Sequence, residues 1–162
     1  MIYDNFQNQD KLVIEDLPKN LQARKCYIED TEKLYSLQAA YDMVEVLPPG
    51  EKFNPENCKL NLRHNLINQY IIGIWDISTN CFVAKAGTNA QGLNWVQLGG
   101  VFTKEDFRGK GLAAFMVKKL AKTMEEKQKK VALFVKDTNE SAKKAYIKAG
   151  FVDDSKFCIC YY

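Results

Sequence analysis

The sequence predicts a mixed α/β domain whose second half is a parallel strand–helix–strand crossover. Three observations predict it. Trp95–Thr103 is an apolar strand-like run, and Val131–Val135 is short and continuously apolar, the pattern of a strand buried on both faces. Between them, Leu112, Met116, Leu120 and Met124 recur at helical spacing out to about Gln128, with Ala113 and Val117 beside them. Arg108-Gly109-Lys110-Gly111-Leu112-Ala113 opens that helix. A right-handed crossover then sets strands 95–103 and 131–135 side by side.

The other elements follow in order. Residues 1–20 are polar and weakly patterned; they are expected as a tail or linker, with one short strand at Lys11–Ile14. The domain proper is expected over residues 21–162. Arg24–Ile28 reads as a strand. Thr31 can cap a helix to about Leu47, with Leu34, Leu37, Tyr41 and Val44 on its apolar face, and Pro48-Pro49-Gly50 ends it. Asn54-Pro55-Glu56 opens a second helix to about Ile67, with proline at the first helical position. Tyr70–Ile77 and Phe82–Ala86 form an antiparallel pair turned by Ser78-Thr79-Asn80, and 87–94 is a loop or an extension of that pair. Asn139–Ala149 is a helix closed by Gly150, and Phe151–Val152 and Phe157–Tyr162 are terminal strands.

Composition narrows the function. A chain of 162 residues, 46% hydrophobic and 27% charged, is an ordinary globular domain. No apolar run approaches the ~20 residues needed to span a bilayer, and no signal peptide is evident, so a cytoplasmic protein without membrane partners is expected. The five cysteines are scattered; they read as reduced, mostly buried thiols, with Cys158 and Cys160 in the core. His64 reads as a surface helix residue, and its spacing to the cysteines suits no metal site. Residues 104–148 hold 13 Lys/Arg against 6 Asp/Glu, while the rest holds 10 against 14. The excess surrounds the glycine motif, where it would gather a polyanionic ligand. The basic residues lack interleaved aromatics, so nucleic acid is not expected.

The exposed N–H groups at a helix start favour a diphosphate, and glycine lets it approach. A Walker loop is absent. Gly109-Lys110-Gly111-Leu112-Ala113-Ala114 fits a dinucleotide fingerprint in letters, but five residues separate it from the strand, and the acidic residue about 20 positions on is missing.

Arg108-x-x-Gly111-x-Ala113 after a strand resembles the acetyl-coenzyme A motif of the GNAT superfamily of N-acetyltransferases. Asn139-x-x-Ala142-x-x-x-Tyr146-x-x-x-Gly150-Phe151 resembles the family's second cofactor motif. The resemblance covers roughly Val96 to Phe151. Trp95–Val101 with Thr88-Asn89-Ala90 is similar to a subgroup of uncharacterised bacterial GNAT proteins.

The resemblance implies a mixed sheet in which two parallel strands splay and the pantetheine of acetyl-CoA fills the gap. It implies that Val101, Phe102 and Thr103 line pantetheine and that Arg108, Gly109, Lys110, Gly111, Leu112 and Ala113 hold the pyrophosphate. Asn139, Ala142 and Tyr146 would contact the cofactor from the second motif. Gly99 and Gly100 suit a bulge that aims an N–H at the thioester carbonyl. Tyr146 matches the family's general acid; a phenol keeps its proton at neutral pH. The implied activity is acetyl transfer to an amine on a small molecule, peptide or protein. A non-catalytic acyl-CoA-binding regulatory module is the alternative, and a homodimer is left open. Many members carry a glutamate on the strand before the glycine motif. Here that strand has none, and Gln97 cannot be a base. Tyr41 and Glu45, at i, i+4 spacing on the first helix, are the acceptor-side candidates together with Gln97.

Overall fold

The computed structural model describes residues 1–4, 16–156 and 158. Its sheet has seven strands: β1 (Ile2–Tyr3), β2 (Leu21–Lys25), β3 (Ile71–Asp76), β4 (Cys81–Gln91), β5 (Trp95–Thr103), β6 (Lys130–Leu133) and β7 (Phe151–Val152). Four helices accompany them: α1 (Thr31–Tyr41), α2 (Pro55–Asn68), α3 (Leu112–Glu126) and α4 (Glu140–Ala149). The spatial order is β2-β3-β4-β5-β6-β1-β7. Every pairing with a neighbour is antiparallel except β5 with β6, the expected parallel crossover through α3.

The two sheet faces carry two cores. Alternate strand residues point to opposite faces, so neighbours part company. Ile71 and Phe82 join Leu34 and Leu37 of α1 and Leu62 and Leu66 of α2. Ile72 and Val83 join the cluster holding Met116, Leu120 and Met124 of α3 and Tyr146 of α4. The α3 stripe is buried as its periodicity requires. Among the described residues no helix is long and apolar enough to cross a membrane.

Several expectations shift. The strand expected at Arg24–Ile28 sits a few residues earlier, at Leu21–Lys25, because a 3-10 turn at Ile28–Asp30 precedes α1. Thr31 is the first helical residue rather than the cap, and its hydroxyl donates to the Ile28 carbonyl. Asp30 organises this turn: its carboxylate accepts from the Tyr27 N–H at 3.0 Å and from both Arg24 Nη atoms at 2.7 and 2.8 Å. The arginine holds its pKa below the usual carboxylate range. The first helix does not run to Leu47 in α geometry; Asp42–Val46 widen into a π-helical turn. That turn leaves Val44 exposed rather than on the apolar face. β4 extends to Gln91, so 87–91 are strand, but beyond Gly87 they pair with β5 rather than with β3.

Ile2–Tyr3, expected within a polar tail, lie between β6 and β7. Their apolar side chains follow the sheet's demand for a partner on the far edge of β6, and Tyr3 stacks on Phe151 at 5.3 Å. Lys11–Ile14 and, apart from Cys158, Phe157–Tyr162 lie outside the described residues. Cys26 and Cys58 are buried, but Cys158 is exposed rather than core, and Cys160 lies outside the described residues. His64 is exposed on α2.

Candidate functional site

β5 and β6 pair only from Trp95↔Lys130 to Leu98↔Leu133. Beyond Leu98, β5 continues against β4 alone, while the chain after Leu133 turns away toward α4. The strands therefore part at Gly99, and a cleft of about 1230 Å³ opens between them. Gly100 causes part of this. Between Gly87↔Gly99 and Lys85↔Phe102, β5 spends two residues, Gly100 and Val101, against the single Ala86. Gly100 takes φ +60, a left-handed conformation that glycine reaches without a Cβ penalty. The expected bulge is present.

One end of the cleft is the glycine turn. Gly109 and Gly111 take φ +74 and +77, and Gly111 stands at the N-cap of α3. A Cβ at Gly109 would meet only open space, so the glycine serves the turn and not packing. Arg108 is steered by its Nε, which donates to the Thr103 carbonyl at 3.1 Å, and its guanidinium lies 5.7 Å from the Phe102 ring centroid. The N–H groups opening α3 face this end, so an anion would be held by backbone and dipole together. Lys143, Lys144, Lys148 and Lys156 also line the cleft. Thr103 adds a second sign of a polar occupant: its hydroxyl is buried and has no hydrogen-bond partner among the described residues.

The other wall is α4. Asn139 caps it, its side-chain oxygen accepting from the Ala142 N–H at 3.1 Å, and it also lines the cleft. Tyr146 lies two turns on and is 8% exposed. Burial, with Tyr41 and Glu45 nearby, pushes its phenol up to about 12. Across the cleft, the Gly100 N–H donates toward the Tyr41 hydroxyl. Burial, followed by Glu45 and Asp42, raises the Tyr41 phenol as well. Glu45 is tied to Lys136, Oε2 to Nζ at 3.0 Å, across the mouth of the cleft.

Val101, Phe102, Thr103, Arg108, Gly109, Gly111, Leu112, Ala113, Asn139, Ala142, Tyr146, Tyr41 and Glu45 thus share one cleft. Two predicted site residues do not line it. Lys110 turns onto the Phe107 ring at 4.6 Å, and Gln97 sits paired between Ala90 and Ala132. The sequence reading missed Lys136 and Phe134, which follow a buried strand and are exposed at the splay. It also missed Lys85, a buried lysine whose Nζ donates to the Gly100 carbonyl at 3.0 Å. The signal for Lys85 was available: a lone cation inside the apolar run Cys81-Phe82-Val83-Ala84-Lys85-Ala86.

Solved structures that share this architecture include acetyltransferases. A predicted acetyltransferase from Clostridium acetobutylicum, crystallised with acetyl-CoA, superposes with a TM-score of 0.69 at 18% identity, over 87% of this chain and 96% of that one. A ribosomal-protein-alanine N-acetyltransferase from Brucella melitensis biovar Abortus 2308 gives 0.67 at 19%, over 88% and 99%. A glucosamine-6-phosphate N-acetyltransferase from Arabidopsis thaliana gives 0.66 at 19%, over 89% and 99%. No curated protein sequence matches the chain. The family model for FR47-like protein matches residues 72–159, more than half of the chain and all of β5, α3, β6 and α4. The fold is that of the GNAT acetyltransferases, and the chain belongs to the FR47-like family.

Proposed function

We propose that the protein is an N-acetyltransferase that moves an acetyl group from acetyl-CoA directly to an amine. The observation that carries this is the shared cleft: the glycine turn and Tyr146 line one cavity, at the point where β5 and β6 stop pairing. The residues fit the cofactor. The turn at 108–113 suits a pyrophosphate, and the free edge of β5 with the unpartnered Thr103 hydroxyl suits an amide-bearing arm. Acetyl-CoA, when bound, supplies the activated acyl group.

The chain's own groups supply the rest. Arg108 and the N–H groups opening α3 anchor the polyanionic end, aided by the lysines of the cleft wall. Holding both reactants in one cleft removes the entropic cost of a bimolecular encounter. An N–H of the Gly100–Val101 bulge would face the thioester carbonyl oxygen, where a preorganised donor contributes roughly 3–4 kcal/mol in the transition state. Tyr146 is the general acid. With its pKa near 12 the phenol is fully protonated at neutral pH. It is a weaker acid than a thiol, so it would hydrogen-bond the leaving sulfur first. The thiolate would then take the phenol's proton, and the proton lost by the attacking amine would restore the phenol. Tyr41 and Glu45 line the same cleft and would border the acceptor, and Glu45, once free of Lys136, would relay the amine's proton toward Tyr146.

The second reading is a binding module without turnover. It draws support from β5, which carries no carboxylate, and from the engagement of Glu45 by Lys136. Calorimetry with acetyl-CoA tests the binding common to both. Wild type is expected to bind at micromolar levels with competition by free CoA, and Arg108→Glu to lose most of the heat. Unchanged affinity in Arg108→Glu removes the pyrophosphate assignment. Thiol release over a panel of amines then separates the two: turnover with any amine selects the enzyme, and silence across the panel selects the module.

A further inference from the structure

Lys85 has no part in the proposed mechanism, yet it is the most unusual side chain near the bulge. It is 5% exposed, it is deep in β4, and among the described residues it makes no ion pair. Burying a lone ammonium is costly, and an apolar residue of similar length would fill the same space. Its Nζ donates to the Gly100 carbonyl at 3.0 Å and lies 4.5 Å from the Tyr41 ring centroid. The charge is therefore fixed against the residue whose bulge opens the cleft, and from the α1 side of the sheet.

Peptide geometry transmits this contact. All peptide bonds are trans among the described residues, so the C=O of Gly100 and the N–H of Val101 point in opposite directions from one rigid plane. An ammonium holding the oxygen fixes where the N–H aims. It also draws electron density toward the carbonyl and makes the N–H a stronger donor, as in any polarised hydrogen-bond chain. We propose that Lys85 is a positioning residue for acyl transfer: its buried ammonium orients and polarises the Gly100–Val101 peptide, so that the Val101 N–H grips the thioester oxygen more tightly as negative charge develops there. The proposal rests on the acetyl-CoA reading above.

The surroundings set its pH range. Tyr41 and Asp42 face Lys85 from the first helix and its π turn, Cys26 from the end of β2, and Cys58 from α2. Burial lowers the Lys85 ammonium to about 8, while the pull of Asp42 opposes that fall. Burial pushes both thiols up to about 12 and raises the Tyr41 phenol, so these groups do not ionise in the same range. Lys85 is charged below about 8 and neutral above it.

The test reads the thioester carbonyl directly and needs no acceptor. Infrared difference spectra of bound, carbonyl-labelled acetyl-CoA are expected to show the C=O band at lower wavenumber in wild type than in Lys85→Met. The wild-type band should climb as pH rises through about 8; the Lys85→Met band should stay still, and Lys85→Arg should restore the low position. With any amine that the protein acetylates, Lys85→Met should lose roughly tenfold in kcat while KM for acetyl-CoA stays within about twofold. A band that is identical in the two proteins and constant with pH overturns the role of Lys85. If Lys85→Met does not fold, the wild-type pH titration decides alone. Failure of wild type to bind acetyl-CoA overturns the cofactor reading, and this proposal with it.

Discussion

The two halves of the sheet hold their functional groups in different ways. In the β5–α3–β6–α4 half, the groups facing the cleft are largely backbone: a bulge at Gly100, two left-handed glycines at 109 and 111, and the N–H groups opening α3. In the β2–β3–β4 half with α1 and α2, they are side chains delivered from a distance. Tyr41 and Glu45 come from the end of the first helix, while Lys85, in mid-strand, does not line the cleft but reaches the Gly100 carbonyl from the α1 side. A backbone device needs a short run of defined residues and tolerates much variation around it. A side-chain device depends on how whole elements dock. On the proposed function, recognition of a common cofactor falls to the first half and contact with an individual acceptor to the second.

Tyr146 makes the sharpest test of that division, because it belongs to the cofactor half yet is the proposed general acid. Removing only its hydroxyl, in Tyr146→Phe, keeps the buried ring and its contact with Phe151 at 6.4 Å. The expected result is a loss of about 100-fold in kcat, the lower range for a general acid. Acetyl-CoA affinity by calorimetry should stay within about threefold, since the 108–113 turn is untouched. A matching loss in affinity would make the tyrosine part of the binding surface. Unaltered turnover would remove it from the chemistry.

The same division governs what could be read from the sequence. The crossover, the α3 stripe and the glycine turn were legible because each is a local pattern: a period of 3.6, a β-rich run, glycines at a helix start. The bulge was legible as Gly99-Gly100. Asn139 was legible as both cap and cleft residue. The π turn at Asp42–Val46 was not, because nothing in its residue types separates it from an α-helix; tertiary docking of the first helix decides it. Ile2–Tyr3 were missed because two residues carry no period, and only the edge of β6 explains them. Gln97 lies in β5 between Ala90 and Ala132, outside the cleft lining, and its residue type alone says nothing of the face it occupies. Lys136 meets Glu45 over 91 positions of sequence, a pairing no local pattern announces.

A smaller effect would show whether the halves are mechanically separate. Gly73 in β3 has no room for a side chain: a Cβ there would lie 2.6 Å from two carbons of the Phe82 ring and 2.9 Å from Cys26 Sγ. Phe82 is fully buried against Trp75 at 4.9 Å and beneath the Arg24 guanidinium at 4.7 Å, so it cannot give way freely. Gly73→Ala is expected to cost about 1–3 kcal/mol, or several degrees in melting temperature. Acetyl-CoA affinity should hold within about twofold, because the strain falls in the core under α1 and α2. Loss of cofactor binding would mean that the sheet carries strain across to the glycine turn and that the halves act as one.

The smallest expected effect concerns pH and confines itself to the antiparallel half. Asp76 ends β3 and is 2% exposed. One carboxylate oxygen accepts from the Ser78 N–H at 3.0 Å, the Ser78 hydroxyl at 2.5 Å and Asn20 Nδ2 at 3.2 Å; the other accepts from the Thr79 hydroxyl at 2.8 Å. These donors, Ser78 first, hold its pKa down to about 2 against the carboxylate's own burial. A carboxylate lowered on folding stabilises the native state above its ordinary pKa of about 4, and that contribution fades as pH falls through the folded value. Wild type should therefore melt above Asp76→Asn at neutral pH, and the gap should close between about pH 4 and about pH 2. Cofactor affinity at neutral pH should be equal in the two proteins, since the turn at 76–79 belongs to the half that does not hold it. A gap that stays constant through acid would mean that the carboxylate's charge has no part in fixing the β3–β4 turn, and that the amide of asparagine serves its four donors as well.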